Sequence, residues 1–136
     1  MKLVRLARKR WDVLAACDSR GRCSVTEFLE DLEGTSHQVA AEQMARLLVV
    51  QVPGNGPPRA QPLCKPLGDG LFEFRKQPKG KKLRVVWFYG GGAVVVCAVA
   101  FTKAERTPRT EIERARALKR QYLEARRDGA LEISET

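Results

Sequence analysis

Residues 65–113 read KPLGDGLFEFRKQPKGKKLRVVWFYGGGAVVVCAVAFTKAERTPRTEIE, and this stretch decides the fold. Residues 71–76, 83–89 and 93–101 are rich in β-branched and aromatic residues and have strand length. The first two runs are joined by Gln77-Pro-Lys-Gly-Lys81 and the second two by Gly90-Gly91-Gly92, both of hairpin length, so this part of the sheet is predicted to be antiparallel. A phosphate cradle would need a helix N-terminus or a Lys-Ser/Thr pair after the three glycines. Neither follows, so a turn that needs positive φ is the preferred reading. Further on, Thr107 is placed to cap a helix with Pro108 at its first position. Ile112, Ala115, Leu118, Tyr122 and Ala125 make its apolar stripe, and Arg114, Arg116, Lys119, Arg120, Arg126 and Arg127 face elsewhere. The helix is predicted to end near Gly129.

Upstream, residues 10–17 (RWDVLAAC) form a first predicted strand and residues 18–23 a polar turn. Ser24-Val-Thr-Glu27 has the spacing of a capping box, opening a short helix with Phe28, Leu29 and Leu32 inward and Gly34 at its end. Thr35 and Gln38 repeat that start signal weakly, before a second helix with Val39, Ala40, Met44, Leu47 and Leu48 on one stripe. Residues 51–66 hold Pro53, Gly54, Gly56, Pro57, Pro58, Pro62 and Pro66, a composition that predicts a connecting loop, neither helix nor central strand. The expected architecture is α+β: an antiparallel sheet of about four strands, two covering N-terminal helices and a basic C-terminal helix, in one domain over residues 1–136.

Lys+Arg 25 against Asp+Glu 16 gives a net charge of +9 and predicts a polyanionic or acidic partner. Six cations, Arg75, Lys76, Lys79, Lys81, Lys82 and Arg84, fall in residues 75–84 with no acid between them, the pattern of a phosphate-contacting surface or of a solvated turn. Cys17, Cys23, Cys64 and Cys97 form no CxxC pair and His37 is the one histidine, so neither a metal nor another cofactor is expected. Cys97 reads as a core residue. Cys17 and Cys23 flank a loop and have the option of bridging, with reduced thiols preferred. The apolar run 93–101 is too short to span a bilayer, and MKLVRLARKR lacks the apolar core of a signal peptide, so a cytoplasmic protein without a membrane partner is expected.

The motif Leu67-Gly68-x-Gly70-Leu71-x-Glu73-x-Arg75, followed by Arg84, by Phe101-x-Lys103, by Thr107-Pro108 and by Ile112 and Ala115, resembles the catalytic half of the RelE/HigB-type toxins of type II toxin–antitoxin pairs, in particular their phage-derived HigB-like branch. That resemblance implies a metal-independent endoribonuclease that cuts mRNA on the ribosome, inhibition of translation, and silencing by a small helix-turn-helix antitoxin. The sequence departs from the pattern at Ala104, where many relatives carry a second lysine, and in a shorter link to Thr107.

Metal-independent RNA cleavage must remove the 2′-OH proton, stabilise charge on phosphorus and protonate the leaving 5′ oxygen. With a single histidine, those tasks fall to Arg75, Lys103 and Arg84. Arg75 alternates in phase with Leu71 and Glu73, away from Phe72 and Phe74, and a tight turn would set it opposite Arg84 as a phosphate clamp. Arg75 read as a structural residue would instead pair with Glu73 or Glu111, and for Arg84 both roles stand. Lys103, where the last strand ends, is the candidate for proton transfer. Lys76, Lys79, Lys81, Lys82, Arg106 and Arg109 are assigned to RNA contacts. Trp87 and Tyr89 serve as core or as a stacking platform. His37 is placed on the covering helix, away from this chemistry. A non-catalytic, phage-derived RNA-binding or regulatory protein of the same fold is the alternative.

Overall fold

The computed structural model describes residues 1–103 and 108–135. Its centre is a sheet of seven strands: β1 (Lys2–Arg8), β2 (Asp12–Ala16), β3 (Cys64–Gly68), β4 (Leu71–Lys76), β5 (Leu83–Tyr89), β6 (Val94–Thr102) and β7 (Glu132–Glu135). They lie in the order β3-β4-β5-β6-β2-β1-β7. The hairpins β3–β4, β4–β5, β5–β6 and β1–β2 are antiparallel, whereas β2 runs parallel to β6 and β7 parallel to β1. The α+β class is as expected. The sheet is wider than four strands and mixed rather than purely antiparallel.

Alternation along the central strands divides the side chains between two faces. Val85 and Trp87 join Val13, Ala15, Phe74, Val95 and Cys97 in one core, with Val25, Met44, Leu47 and Leu48 of the covering helices. Val86 and Phe88 join Leu3, Leu14, Leu71, Val96 and Phe101 in the other, with Ala115 and Tyr122 of the C-terminal helix. The protein is therefore three layers deep, with helices α1 (Ser24–Asp31) and α2 (Gln38–Arg46) on one side of the sheet and α4 (Arg109–Arg127) on the other. A register shift at Val86 and Trp87 puts the neighbours Ala98 and Val99 of β6 in the same core, as a bulge does.

Several departures have identifiable causes. The first strand read from the sequence begins at Asp12, not Arg10, and a whole strand, β1, precedes it. A register shift between Arg5 and Ala7 breaks the alternation of KLVRLAR and hides it from a two-residue period. At α1 the capping box does not form: Cys23 is the cap residue without a side-chain cap bond, and the Ser24 hydroxyl donates instead to the Ala98 carbonyl at 3.4 Å. Val39 points out of α2 and is 55% exposed, while Ala40, Met44, Leu47 and Leu48 are buried as read. Helix continues into the proline-rich stretch, through a π-turn at Leu47–Gln51 and the short α3 (Val52–Asn55). Pro53, the second residue of α3, follows directly on that π-turn, and the helix ends two residues later at Asn55. The same stretch supplies the start of β3, an edge strand that accommodates Pro66. Neither β3 nor β7, which is exposed throughout, carries a buried alternating face to reveal it.

Helix α4 starts at Arg109 with Pro108 as its cap residue, and Thr107 lies outside the described residues. Its predicted stripe holds: Ala115, Tyr122 and Ala125 are buried, and the Tyr122 hydroxyl donates to the Gly90 carbonyl at 2.9 Å. Gly91 (φ 98°) and Gly92 (φ 61°) make the β5–β6 turn, the reading preferred over a phosphate cradle. A Cβ at Gly90 would stand 2.7 Å from the Tyr122 hydroxyl and 2.8 Å from Val94, so α4 is seated directly on this glycine. Tyr122→Phe should therefore cost about 1 kcal/mol by loss of one buried hydrogen bond. Gly90→Ala should cost more, about 1–3 kcal/mol, through overpacking, and urea unfolding of both variants checks the order.

Candidate functional site

Leu71, Glu73 and Arg75 share one face of β4, and Cα pairing places Arg75 directly opposite Arg84 and Glu73 opposite Val86 of β5. Phe72 and Phe74 take the other face, where Trp87 stacks on both with ring centroids 4.9 and 4.7 Å away. This confirms the in-phase reading of the strand and the across-hairpin position of the two arginines. Trp87 is buried core and no platform for bases.

At the end of the sheet opposite the Gly90–Tyr122 contact, a carboxylate gathers three cations. Glu73 Oε1 stands 3.3 Å from Arg84 Nε, 3.7 Å from Arg75 Nε and 4.0 Å from Lys103 Nζ. The Glu73 and Arg84 side chains are 0% exposed, Lys103 7% and Arg75 19%. The cluster is thus graded from a fully enclosed ion pair to an arginine at the surface. The Arg84 guanidinium donates to the carbonyls of Leu83 (3.1 Å) and Lys76 (3.4 Å) and to Gln77 Oε1 (2.8 Å), which fix it beneath the β4–β5 turn. Arg75 Nε has no hydrogen-bond partner. The backbone holds Lys103 in place, its amide donating to the Lys82 carbonyl at 3.0 Å just past the end of β6.

Burial lowers the Lys103 pKa from its ordinary value; Glu73 pulls it back up, and Arg84, Arg75 and Lys65 push it down again. Burial also lowers that of Arg84, as does Arg75, against the opposing pull of Glu73. Three cations confined near one carboxylate leave an excess of positive charge that a phosphate would neutralise. Among the candidates read from the sequence, Arg75, Arg84 and Lys103 are brought together. Lys76 and Lys82 are half-buried beside the turn, and Lys79 and Lys81 are exposed on it. Arg109 is exposed at the start of α4, and Arg106 and Ala104 lie outside the described residues. His37 precedes α2 on the far layer and contacts Ser36.

Sequence reasoning missed two contributors, Gln77 and Lys65, and read a third, Glu73, only as a pairing partner for Arg75, a pairing present at 3.7 Å. Glu73 is the hub of the cluster; the signal was a carboxylate between two phenylalanines on an inner strand, a charge that cannot be buried without partners. Gln77 anchors Arg84. Lys65, exposed on β3, is paired with Glu73 across the β3–β4 ladder and is close enough to bear on Lys103. Asp69, by contrast, sits in the exposed β3–β4 turn and pairs with Arg116 at 2.8 Å.

The fold is α+β, and one end of its sheet brings a buried carboxylate together with three converging cations. The family model described as phage derived protein Gp49-like (DUF891) matches residues 30–120, a span that includes β3 to β6 and most of α4. The chain belongs to that family. A search of curated proteins returns no match. Among the described residues no helix is long and apolar enough to cross a membrane, and no three His, Cys, Asp or Glu side chains stand together as a metal site.

Two outcomes test the electrostatics. Glu73→Gln leaves Arg84 buried without its counter-charge and should destabilise the fold by about 3–5 kcal/mol in urea unfolding. Lys103→Met should raise stability at neutral pH, because the folded state holds that proton less readily than the unfolded chain. The lysine's penalty is full below its folded pKa and shrinks as pH rises from there to its ordinary 10.5, so the two proteins should converge in alkali. Unfolding curves for parent and variant across that range give the comparison.

Proposed function

We propose that this chain is the toxin of a type II toxin–antitoxin pair of the RelE/HigB type, a metal-independent endoribonuclease that cuts mRNA on the ribosome. The observation that carries this reading is the convergence of Arg75, Arg84 and Lys103 on Glu73 at one end of the sheet. The residue pattern from Leu67 to Ala115 and membership of a phage-derived family support it.

In this reading the scissile phosphate binds at the open side of the cluster, against Arg75 and Lys103, with Lys65 at its edge. Arg75 is the most exposed of the three cations, and charge building on the phosphorus oxygens in the transition state draws its guanidinium in. Arg84 acts from beneath, as a fixed positive charge held by Gln77 and two carbonyls. The substrate's 2′-OH is the nucleophile. Lys103, whose pKa is lowered by burial and by its cationic neighbours, exchanges the proton that the reaction moves. Glu73 keeps three like charges within one pocket that would otherwise repel one another. The cations of the β4–β5 turn hold the RNA backbone without reading its sequence. The antitoxin partner is a small helix-turn-helix protein.

One structural feature favours the second reading, a non-catalytic RNA-binding protein: Arg84, fully enclosed, is already engaged by protein acceptors. Arg75→Ala discriminates. On the endoribonuclease reading it should remove RNA cleavage and growth arrest by a hundredfold or more, roughly the loss of one transition-state donor, with its melting curve unchanged. Cleavage by the parent should survive a chelator and leave 2′,3′-cyclic phosphate or 3′-phosphate ends, as end-group analysis of fragments made with purified ribosomes would register. A folded Arg75→Ala protein that arrests growth like the parent sinks the assignment.

A further inference from the structure

Cys17 and Cys23 lie on either side of the β2–α1 loop and are paired antiparallel across it. One step inside that pair, the Asp18 amide donates to the Arg22 carbonyl at 2.8 Å. Cys17 and Cys23 are therefore a non-hydrogen-bonded pair, the kind in which facing Cα atoms approach to about 4.5 Å with both side chains on one face. That separation lies within the roughly 4.4–6.8 Å a disulfide requires. Both thiols are free, and each donates to a carbonyl of β2, Cys17 to Ala15 at 3.8 Å and Cys23 to Ala16 at 3.3 Å.

We propose that Cys17 and Cys23 are an oxidisable pair, which hydrogen peroxide converts to an intramolecular disulfide tying the end of β2 to the start of α1. Exposure sets the order of events. Cys23 is 7% exposed, while Cys17 is half-buried and lines an open cleft of about 630 Å3 with Met1, Lys2, Asp18 and Glu132. Burial and the neighbouring Cys17 push the Cys23 thiol up to about 12, so its thiolate is scarce and Cys17 is attacked first. The Cys17 sulfur takes one peroxide oxygen as the O–O bond breaks, giving a sulfenic acid and one water. The Cys23 sulfur then displaces that oxygen, the S–O bond breaking as the S–S bond forms, and the oxygen leaves as a second water with the Cys23 proton. Two thiols lose two electrons and two protons, and one peroxide becomes two waters. Cys64 and Cys97, 1% and 0% exposed, stay reduced.

The test is peroxide treatment of the folded chain, alkylation in denaturant, and mass spectrometry of tryptic peptides. Trypsin cuts after Arg20 and Arg22, between the two cysteines, so the disulfide appears as a linked pair of peptides that dithiothreitol separates. The expected result is that linked pair, with Cys64 and Cys97 alkylated. Four alkylated cysteines, a Cys23–Cys97 link or a disulfide between two chains would each overturn the proposal. Cys17→Ser, at the half-buried position, should leave Cys23 unmodified by peroxide over the same time. Cys23 oxidised at the parent's rate in that variant would overturn the order of attack.

Discussion

The burial of the Glu73 carboxylate is the constraint on which the rest of the site depends. An ionised carboxylate with no solvent access costs several kcal/mol unless it is matched by charge and hydrogen bonds. Arg84 provides the match, at 3.3 Å and equally enclosed. The β4–β5 hairpin makes that pair possible, setting Arg84 opposite Arg75 and therefore two positions along from Val86, which faces Glu73, on the same side of the sheet. A hairpin register shifted by one residue would send Glu73 to the other face, among Val85, Trp87 and Met44. The pair thus specifies register as well as charge.

The positions of Arg75 and Lys103 follow from the same pair. Once one cation has satisfied Glu73, further cations at 3.7 and 4.0 Å are attracted by a charge already largely neutralised and repelled by Arg84. Such groups are held by the fold more than by their electrostatics. Lys103 owes its place to the ladder continuing past β6, and Arg75 to strand alternation. A site that retains surplus positive charge through backbone constraint is ready for an anion without rearranging, the condition under which fixed charges lower a barrier most.

How much of this was legible in the sequence follows from where its signals were local. Strands β4 and β5 were read at their observed ends, because the alternation of Phe72 and Phe74 with Glu73 and Arg75 is unbroken and Gln77-Pro-Lys-Gly interrupts it sharply. The facing of Arg75 and Arg84 followed from that turn. What could not be read was long-range. Strand β1 is hidden by its bulge, and the parallel pairings of β2 with β6 and β1 with β7 join residues more than 80 positions apart, leaving no local trace. Ser24 shows a different failure. Its capping-box pattern is intact, but a carbonyl of β6 competes for the hydroxyl and wins. Glu73 was visible as a residue and not as a hub, because its role depends on three partners contributed by three strands or their ends.

Charge is also divided between the two sides of the sheet. Residues 24–45, which make up α1 and nearly all of α2, contain Glu27, Glu30, Asp31, Glu33 and Glu42 and neither lysine nor arginine, in a chain of net charge +9. Cations are concentrated instead on the β4–β5 turn, on α4 and around Glu73, with a further group, Arg8, Lys9 and Arg10, at the β1–β2 turn. On α4 several are already committed, Arg114 to Glu111 and Arg116 to Asp69 and Glu113. Exposed pairs of that kind add little stability and leave the net positive potential of the helix in place. A polyanion approaching this protein is therefore repelled by the α1–α2 layer and drawn to the opposite face, and at about 0.15 M salt that steering acts within roughly 8 Å of the surface. Its focus is the end of the sheet where the exposed Lys79 and Lys81 of the β4–β5 turn adjoin the partly buried Arg75 and the nearly enclosed Lys103.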